Sequence, residues 1–427
     1  MNEPIFIARQ DTLEQEILPA HWLAQYKLFG EESYTFQDKE IWKKLCMSSA
    51  AANDRDMHAE ALEEMLTTFS AEHTGKWMLT VYGMDAAVLE GLASMAAIAA
   101  NGTAMAAVAG NALLMHAITN SETAMQAISR SQTAMQRIAN STTAMDAISG
   151  SKIARGAVQA SPYYNSYIKE NDMAIAKLVV SFANLASAGY SGMAGVAADA
   201  TAMNAVAASS TAMNAVAASA VARNAISASP YYDAKIKEND MAIAKLVVGF
   251  ANLESARYSG CAGMAADSTA MTAVAASSTA MTAVAASGVA LKAIAQAYKK
   301  TANMLQFLKA VNASDTLVKR IYSTLTNATA LFGAAQLGSQ DSVENANSWA
   351  TTSAAPNAFL ACACGYYGSS SDSVSVTYNG TVIAQKKTGT AKPGSVTSTN
   401  VNAITMAPST FTENGDGYLA VQKFTAK

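Results

Sequence analysis

Residues 121–150 read SETAMQAISR SQTAMQRIAN STTAMDAISG, three consecutive decads built on one pattern. Each decad has Met at its fifth position and Ile at its eighth, so Met recurs at 125, 135 and 145. A Met and an Ile three residues later lie on the same face of a helix. The Ser that opens each decad is a preferred N-cap residue. The pattern therefore predicts a helix of about two turns that begins again every ten residues.

The same register extends well beyond these three decads. The first block covers residues 101–160 and ends where Arg155 takes the Met position, and two later blocks end at Arg223 and Leu291. Arg155 and Arg223 are interpreted as solvated ends of a stack, with an ion pair between chains or a ligand contact as the alternative. The further methionines at the fifth position are Met105, Met115, Met203, Met213, Met271 and Met281.

A longer repeat of 68 residues encloses the later decads. Residues 161–228 align without gaps on residues 229–296, and 52 of the 68 positions are identical. Both copies open with Ser-Pro-Tyr-Tyr and close on decads of the Thr-Ala-Met type. Residues 91–160, 161–228 and 229–296 are therefore predicted to form one repetitive shaft.

An uninterrupted helix fits this period badly, because at about 100° per residue a decad falls about 80° short of three full turns. Coiled coils use periods of seven or eleven residues, which drift less. We favour short helices joined by tight serine turns and stacked as a thin α-solenoid. A strained continuous coil is the alternative, and a pentapeptide β-coil fits less well because the large residues are three apart rather than five.

The apolar stripe of one decad is too narrow for a free-standing core, and isolated two-turn helices are unstable. A long uncovered stripe is also more than soluble monomers expose. We therefore expect neighbouring chains to cover it, most simply in a homotrimer. The predicted interface residues are Met105, Met125, Met135, Met145, Met203, Met213, Met271, Met281, Leu317, Ile321 and Leu325.

The composition changes on both sides of the shaft. Residues 1–90 hold three of the four Trp and three of the four His, and they predict a compact helical head that is a candidate anchor. In residues 297–338, Leu317, Ile321 and Leu325 are spaced four residues apart, which favours a short coiled-coil neck. The resulting fold class is mainly α, with a small β region at the C-terminus.

Residues 339–427 are rich in Ser, Thr, Gly and Val and predict a small β-sandwich. Residues 373–378 alternate as a strand does, and Asn379-Gly380 then favours a type I′ hairpin turn. Residues 418–424 read as a final strand.

The chain shows no sequence signature of an active site. It lacks a phosphate-binding loop, a His-Glu-x-x-His motif and a Gly-x-Ser-x-Gly nucleophile elbow. The formal net charge is -3 and no basic face is visible, which argues against nucleic-acid binding. We expect no enzyme activity, no catalytic, cofactor-binding or metal-binding residues, and no cofactor.

Other polar and apolar groups also favour structural roles. Cys261 aligns with Met193 in the sister repeat, so packing is its expected role, and Cys362 and Cys364 are interpreted in the same way. The uncharged stretch Gly91 to Met115 is long enough to span a bilayer, but its decad register favours the shaft. The tail has three carboxylates, Asp372, Glu413 and Asp416, and the sequence around Glu413 is more typical of a turn than of a glycosidase pair. Its tyrosines are candidates for contact with a sugar or a receptor, namely Tyr366, Tyr367, Tyr378 and Tyr418.

Tandem Ser-Ser-Thr-Ala-Met-x-Ala-Val-Ala-Ala decads, as at Ser209 to Ala218 and Ser277 to Ala286, resemble those of fibres and other structural proteins of tailed bacteriophages. The resemblance covers roughly residues 101–296 and supports the class more than the exact part. It implies a virion location after assembly in the host cytoplasm, an N-terminal anchor on other virion proteins, and a C-terminal tip that trimerises or binds a host receptor or glycan. It carries over no functional residues.

Two alternatives stay open at this point. A secreted bacterial adhesin or surface stalk suits the repeats equally well, although the first residues lack the basic-then-apolar order of a signal peptide. A fibre tip with polysaccharide depolymerase activity is the other, although so short a tail leaves little room for a sugar cleft.

Overall fold

The computed structural model describes residues 95–297, 304–340, 348–350, 357–366, 373–387, 395–406, 409–414 and 417–427, together with Val88 and Leu92. These residues are mostly helical, and antiparallel sheets occur only in their C-terminal part. The predicted mainly α fold with a small C-terminal β region is therefore confirmed. The predicted head, residues 1–90, lies outside the described residues except at Val88.

The chain forms two compact units. Unit 1 contains the described residues up to Ser181 and Leu185–Met193, and unit 2 contains Phe182–Asn184 and Ala194–Lys427. The helices that begin in unit 1 are α1 Met95–Ala100, α2 Gly102–Gly110, α3 Ala112–Asn120, α4 Glu122–Ser129, α5 Gln132–Ala139, α6 Thr142–Gly150, α7 Lys152–Gln159, α8 Tyr164–Tyr167, α9 Asp172–Phe182 and α10 Met193–Ala198.

Unit 2 continues with decad helices and then the C-terminal elements. Its helices are α11 Ala200–Ala208, α12 Ser210–Ala218, α13 Ala220–Ser227, a π-helix Asp233–Lys237, α14 Asp240–Phe250, a 3₁₀-helix Ser255–Arg257, α15 Cys261–Ala266, α16 Ser268–Ala276, α17 Ser278–Ala286, α18 Gly288–Ala297, α19 Met304–Asn312 and α20 Asp315–Asn327. Its strands are β1 Phe332–Gln340, β2 Ser348–Ala350, β3 Ala358–Tyr366, β4 Ser373–Tyr378, β5 Thr381–Lys387, β6 Val401–Met406, β7 Ser409–Asn414 and β8 Gly417–Ala426.

A polar residue with an extended backbone ends one decad helix and caps the next. Ser141 has φ -108° and ψ 115°, which interrupts the helix, and its Oγ accepts a hydrogen bond from the amide of Ala144 at 3.2 Å. Because this geometry recurs at every decad boundary from Asn101 to Ser151, the helices α2 to α7 are only eight or nine residues long.

The axes of successive helices turn sharply at these caps. The angle is 98° between Gly102–Gly110 and Leu114–Asn120, and 105° between Ser268–Ala276 and Ser278–Ala286. Each helix therefore packs on the third helix before it in sequence. In unit 1, α4 lies on α1, α5 on α2, α6 on α3 and α7 on α4, and in unit 2, α17 lies on α14, α18 on α15, α19 on α16 and α20 on α17. We call three consecutive helices a layer.

The layers turn the apolar stripes inward. In the decad that begins at Ser121, the side chains of Ala124, Met125 and Ile128 are all 0% exposed. The same positions are buried in the other decads that have Met, where the unbranched Met side chain fills the interior next to a small or apolar residue and a β-branched residue.

This burial corrects the predicted contacts between chains. The eight methionines assigned to an interface are at most 1% exposed within a single chain, namely Met105, Met125, Met135, Met145, Met203, Met213, Met271 and Met281. The prediction treated each stripe as if no other part of the same chain covered it. Turns such as the 98° and 105° at these two boundaries point successive stripes at one another, so these buried side chains are inaccessible to a partner.

The C-terminal part of unit 2 contains two four-stranded antiparallel sheets. Their strand orders are β1-β8-β3-β6 and β2-β7-β4-β5. The predicted strand 373–378 is β4, and the predicted strand 418–424 lies within β8. Asn379 and Gly380 have φ values of 47° and 77°, as a type I′ turn requires, and they connect β4 to β5.

The predicted coiled-coil neck is corrected as well. Residues 304–327 form two short helices separated by the cap residue Ser314, whose Oγ accepts from the amide of Leu317 at 3.4 Å. Ile321 and Leu325 are buried in the same core as the sheets, and Leu317 packs against it. The spacing that resembled a heptad stripe thus faces α17 and β6 of the same chain.

Asn312 joins this helical segment to the sheet. Its buried side chain donates to the carbonyl oxygen of Ile404 at 2.7 Å and accepts from the Ile404 amide at 3.0 Å. Two buried backbone groups of β6 are satisfied in this way.

Within the described residues, no single helix is long and apolar enough to cross a bilayer. Two bent helix pairs meet the length and composition criteria together, and they are the pairs that bend by 98° and 105°. The first of them overlaps the sequence candidate Gly91 to Met115.

The double substitution Met203→Asp and Met213→Asp separates an intrachain core from an interface. We expect it to unfold the α11–α12 region and to cost more than about 4 kcal/mol, because two buried charges are left without partners. Circular dichroism and urea unfolding measure this loss. The control pair Thr201→Asp and Thr211→Asp puts the same charges at exposed positions of the same helices, and it should leave stability nearly unchanged. A folded monomer carrying both Met substitutions would restore the interface assignment.

Candidate functional site

The cap serines also connect one layer to the next in unit 1. The Oγ atoms of Ser131, Ser141, Ser151 and Ser161 donate to carbonyl oxygens that lie 32 residues earlier, at 2.7, 2.5, 2.6 and 2.6 Å. The acceptors belong to the end of the helix in the preceding layer, and they are Ala99, Ala109, Thr119 and Ser129. We call these four serines the interlayer serines.

Three of the interlayer serines, Ser131, Ser141 and Ser151, are also helix N-caps, and each satisfies two backbone groups that helices leave unpaired. The first amides and the last carbonyls of a helix lack partners within the helix. At Ser141, the hydroxyl oxygen accepts from the Ala144 amide at the start of α6, while its hydrogen goes to the Ala109 carbonyl at the end of α2. Only a side chain that both accepts and donates can do this.

Unit 2 uses the same connection, with some changes of residue. Ser229 donates to the carbonyl oxygen of Ala197 at 2.5 Å. Asn239 plays both roles with its amide group: Oδ1 accepts from Ala242 at 3.1 Å, and Nδ2 donates to the Ala207 carbonyl at 3.3 Å. Asp267 caps its helix but has no proton to donate, and its other oxygen accepts from the Tyr258 hydroxyl at 2.8 Å.

A lysine is completely buried beside these layers in each unit. In unit 1, Lys177 is 0% exposed, and its Nζ lies 2.5 Å from Asp146 Oδ1 and 3.2 Å from the carbonyl oxygen of Ser187. The Ser187 hydroxyl also donates to Asp146 Oδ1, at 2.8 Å. The buried ammonium group is thus paired with a carboxylate and is hydrogen-bonded on two sides.

The equivalent cluster in unit 2 lacks the carboxylate. Lys245 donates to Asn214 Oδ1 at 2.7 Å and to the Ser255 carbonyl at 3.0 Å, and the Ser255 hydroxyl donates to Asn214 Oδ1 at 2.9 Å. Each of the three positions lies 68 residues after its counterpart in unit 1. Burial without a counterion lowers the pKa of Lys245 from the ordinary value of 10.5.

These lysines hold irregular backbone in place. The segments that carry Ser187 and Ser255 follow α9 and α14, where the chain leaves the decad pattern through Asn184 and Asn252, with φ values of 59° and 57°. Because a buried carbonyl needs a donor, the ammonium group of each lysine fixes the returning segment against its own helix. The geometry indicates a structural function, since both lysines are sealed from solvent.

The sequence carries a signal for these clusters that the decad pattern alone does not reveal. Lys177 and Lys245 stand inside the apolar run Met-Ala-Ile-Ala-Lys-Leu-Val-Val of both copies. A lysine inside a run of core residues either reaches solvent on a narrow exposed face of its helix or is buried with a partner. The partners are 31 residues away, and that separation is visible only once the layer period is known.

The arginines at the ends of the decad blocks form intrachain contacts. Arg155 donates to the Ser149 carbonyl, and Arg223 donates to the Ala217 carbonyl at 2.5 Å. The Arg223 guanidinium also lies 5.7 Å from the centroid of the Phe250 ring. Both side chains are half-buried and bond within the chain, and the interpretation of the two residues as solvated ends stays a prediction.

Cys261 is placed where packing explains it. The side chain is 0% exposed, and burial raises the pKa of the thiol well above its ordinary value, so a reactive thiolate is disfavoured. The adjacent Gly260 allows close approach, because a Cβ there would clash with Asp240 Oδ2. Cys362 and Cys364 are buried in β3.

Several residues singled out in the sequence lie outside the described part of the structure. These are Tyr367, Asp372 and Asp416, while the side chains of Tyr366, Glu413 and Tyr418 are also not described. Tyr378 is 4% exposed and belongs to the core. Within the described residues, no group of three or more His, Cys, Asp or Glu side chains is arranged to hold a metal ion.

Substitutions at Ser141 separate its two hydrogen-bonding roles. Ser141→Asn keeps an acceptor and a donor, so we expect its stability to lie close to that of the natural chain. Ser141→Ala should cost about 1 to 3 kcal/mol, because a cap is lost and the Ala109 carbonyl loses its donor. Ser141→Asp should also be destabilising, although Asp is a good N-cap, because a carboxylate faces that carbonyl.

Urea unfolding of the three Ser141 variants tests this order. If Ser141→Asp proved as stable as Ser141→Asn, capping alone would explain the serine and the connection between layers would contribute nothing.

Changing the partner of Lys245 predicts a change in the pH dependence of stability. Between its lowered folded pKa and the ordinary value of 10.5, Lys245 is protonated to a greater extent in the unfolded chain than in the folded chain, so stability should rise with pH in that window. Asn214→Asp should raise the pKa of Lys245, remove this slope and stabilise unit 2 by about 1 to 3 kcal/mol. Asp146→Asn should destabilise unit 1, because the buried Lys177 ammonium group loses its counterion.

Unfolding free energies measured as the pH rises toward 10.5, in the natural chain and in Asn214→Asp, test this effect, and the contribution of the tyrosines is common to both proteins. The pKa of Tyr164 and the pKa of Tyr258 are both raised to about 12, first of all by burial. Equal slopes in the natural chain and in Asn214→Asp would contradict the assignment to Lys245.

No protein-family model matches this chain, and no curated protein matches it by sequence. Its function is therefore inferred from its own residues and from the geometry of the layers, the caps and the buried lysines.

Proposed function

We propose that the protein is a structural, non-enzymatic component of a tailed-bacteriophage virion, a fibre or a decoration protein whose repeats act as a spacer. The observation that carries the proposal is the bonding between layers. Every interlayer serine joins two helices 32 residues apart, so each layer is fixed to the one before it by hydrogen bonds as well as by packing.

Repeats connected only to their neighbours suit a spacer, because length is added without a new core. The 68-residue duplication is direct support, since it adds helices that reuse the same contacts with the same residues. A globular enzyme gains nothing from such an addition. A spacer gains length in proportion to the number of copies.

The ends of the chain are proposed to do the binding. Residues 1–90 anchor the protein to other virion proteins, and residues 339–427 trimerise or bind a receptor or glycan on the host surface. The resemblance of the decads to phage structural proteins supports this arrangement, and the composition change at both boundaries agrees with it.

The homotrimer stays a prediction, but the contact between chains is now assigned to the C-terminal strands instead of the repeats. Val382 is 52% exposed and lies on β5, an edge strand of its sheet. An edge strand offers unpaired backbone groups to another chain, and an exposed β-branched side chain adds apolar area to that contact. Contacts between tips replace the methionine interface in this proposal.

Labelling of particles tests the virion assignment. Antibodies against residues 1–90 and against residues 339–427 are applied to purified phage particles and to the host envelope, and gold conjugates are located by electron microscopy. We expect label on particles, with the C-terminal epitope outermost. Label on uninfected bacterial envelopes would favour the adhesin, and an outermost N-terminal epitope would reverse the proposed polarity.

Sedimentation of the full chain tests the trimer. We expect a trimer that Val382→Glu converts to a folded monomer with unchanged circular dichroism, because the charge opposes edge pairing. Ile153→Glu is the matched control, since Ile153 is 44% exposed on α7 of unit 1. A monomeric natural chain, or a Val382→Glu variant that is still trimeric, would contradict this assignment.

A further inference from the structure

A groove of about 1120 Å³ opens in unit 2 between the π-helix Asp233–Lys237 and helix α20. Short side chains, among them Ala286, Val289 and Ala330, line its apolar part. The volume is in the range of ligand-binding clefts. The groove lies outside the strands of the tip, and neither the repeat nor the core requires it.

The acidic groups of the groove are already engaged by the protein. The carboxylate of Glu238 accepts from the amides of Gly288 and Val289 at 3.1 and 3.2 Å, at the start of α18. Asp233 lies 3.5 Å from the ammonium group of Lys237. Neither carboxylate is therefore an unopposed negative charge facing a ligand.

Helix α20 presents a polar stripe on the opposite wall. Thr316, Lys319, Arg320, Ser323 and Asn327 all line the groove and are all exposed. Their spacing puts them on one face of the helix over about three turns, or roughly 16 Å. The stripe places two adjacent cations between a hydroxyl group on one side and a hydroxyl and an amide group on the other.

The two cations of the stripe are available to a ligand. Among the described residues, no carboxylate lies within 4 Å of Arg320 or Lys319 in an ion pair. Asp315 is one turn before Lys319, but it pairs with Lys386 at 2.6 Å. The planar fork of an arginine is suited to a carboxylate or a phosphate, which it binds with two parallel hydrogen bonds.

We propose that this groove binds an acidic oligosaccharide, with Arg320 and Lys319 holding its carboxylate or phosphate groups. Thr316, Ser323 and Asn327 offer donors and acceptors for sugar hydroxyls along the stripe. Tyr232 lines the facing wall and is half-buried, so its ring is positioned to contact a sugar face. The proposal goes beyond the virion assignment, because it applies wherever the chain is located.

Other ligand classes fit the groove less well. A nucleic acid needs a long basic surface, whereas the chain has a net charge of -3 and the cations of this stripe are only Lys319 and Arg320. An acidic peptide would use the cations but leave the hydroxyl and amide groups of the stripe without matched partners. An oligosaccharide uses both.

The second copy of the repeat supplies one wall of the groove, and the first copy has nearly the same residues at the corresponding positions. Residues 229–240 match residues 161–172 except at three consecutive positions, where Asn165, Ser166 and Tyr167 correspond to Asp233, Ala234 and Lys235. All three positions lie in the π-helix, and of the three only Asp233 lines the groove. The other wall, α20, lies outside the 68-residue repeat, so the groove is specific to the second copy.

Calorimetric titration of the full chain tests the proposal. The probes are a uronic acid tetramer, a phosphorylated oligosaccharide, a neutral glucose tetramer and a tetraglutamate peptide. We expect an acidic oligosaccharide to bind, the neutral one to bind at least tenfold more weakly, and the affinity to fall as salt rises. The two acidic sugars together show whether carboxylate or phosphate is preferred.

Variants assign the binding to the groove. Arg320→Gln with Lys319→Gln should weaken binding of the acidic sugar at least tenfold while the thermal unfolding midpoint is unchanged. Arg257→Gln removes a cation that is 74% exposed outside the groove and should bind as the natural chain does.

Four results would overturn the proposal: no binding of either acidic sugar at millimolar concentration, equal binding of the neutral sugar, tighter binding of the peptide, or unchanged affinity in the double variant. None of these results bears on particle labelling, so the groove and the virion assignment fail independently.

Discussion

The structure depends on serine hydroxyl groups that each make two hydrogen bonds, one as acceptor and one as donor. A decad helix is too short to be stable alone, and each of its ends leaves backbone groups unpaired. An interlayer serine accepts from the first turn of its own helix and donates to the last turn of a helix in the preceding layer, as Ser151 does with Ala154 and Thr119. The turn angle at the cap, the direction of the apolar stripe and the spacing of the layers all follow from that arrangement.

Much of this could be predicted from the sequence. The decad period, the cap serines and the break between helices were all readable, as were the Asn379-Gly380 turn and two of the strands, because these depend on neighbouring residues. The contacts of the methionines could not be read in the same way. The apolar stripe of a two-turn helix shows that it must be covered, but the sharp turns between helices, 98° and 105° in two cases, decide what covers it.

The buried lysines show the same limit more sharply. Lys177 stands out in an apolar run, yet Asp146 and Ser187 become its partners only through the layered path of the chain. The 68-residue copy then repeats the geometry with Asn214 in place of the carboxylate. Either a carboxylate or an amide can therefore be the partner of the buried lysine, because the lysine is needed mainly to donate a hydrogen bond to the carbonyl of Ser187 or Ser255.

The direction of the bonds between layers has a consequence for synthesis of the chain. In all four interlayer serines the donor lies 32 residues after its acceptor in sequence. When the chain leaves the ribosome, the acceptors of each layer have therefore already emerged before the donors that bond to them. The repeats can grow by addition at one end, each new layer using the previous one as its template, and the short sequence separation of these contacts favours rapid closure.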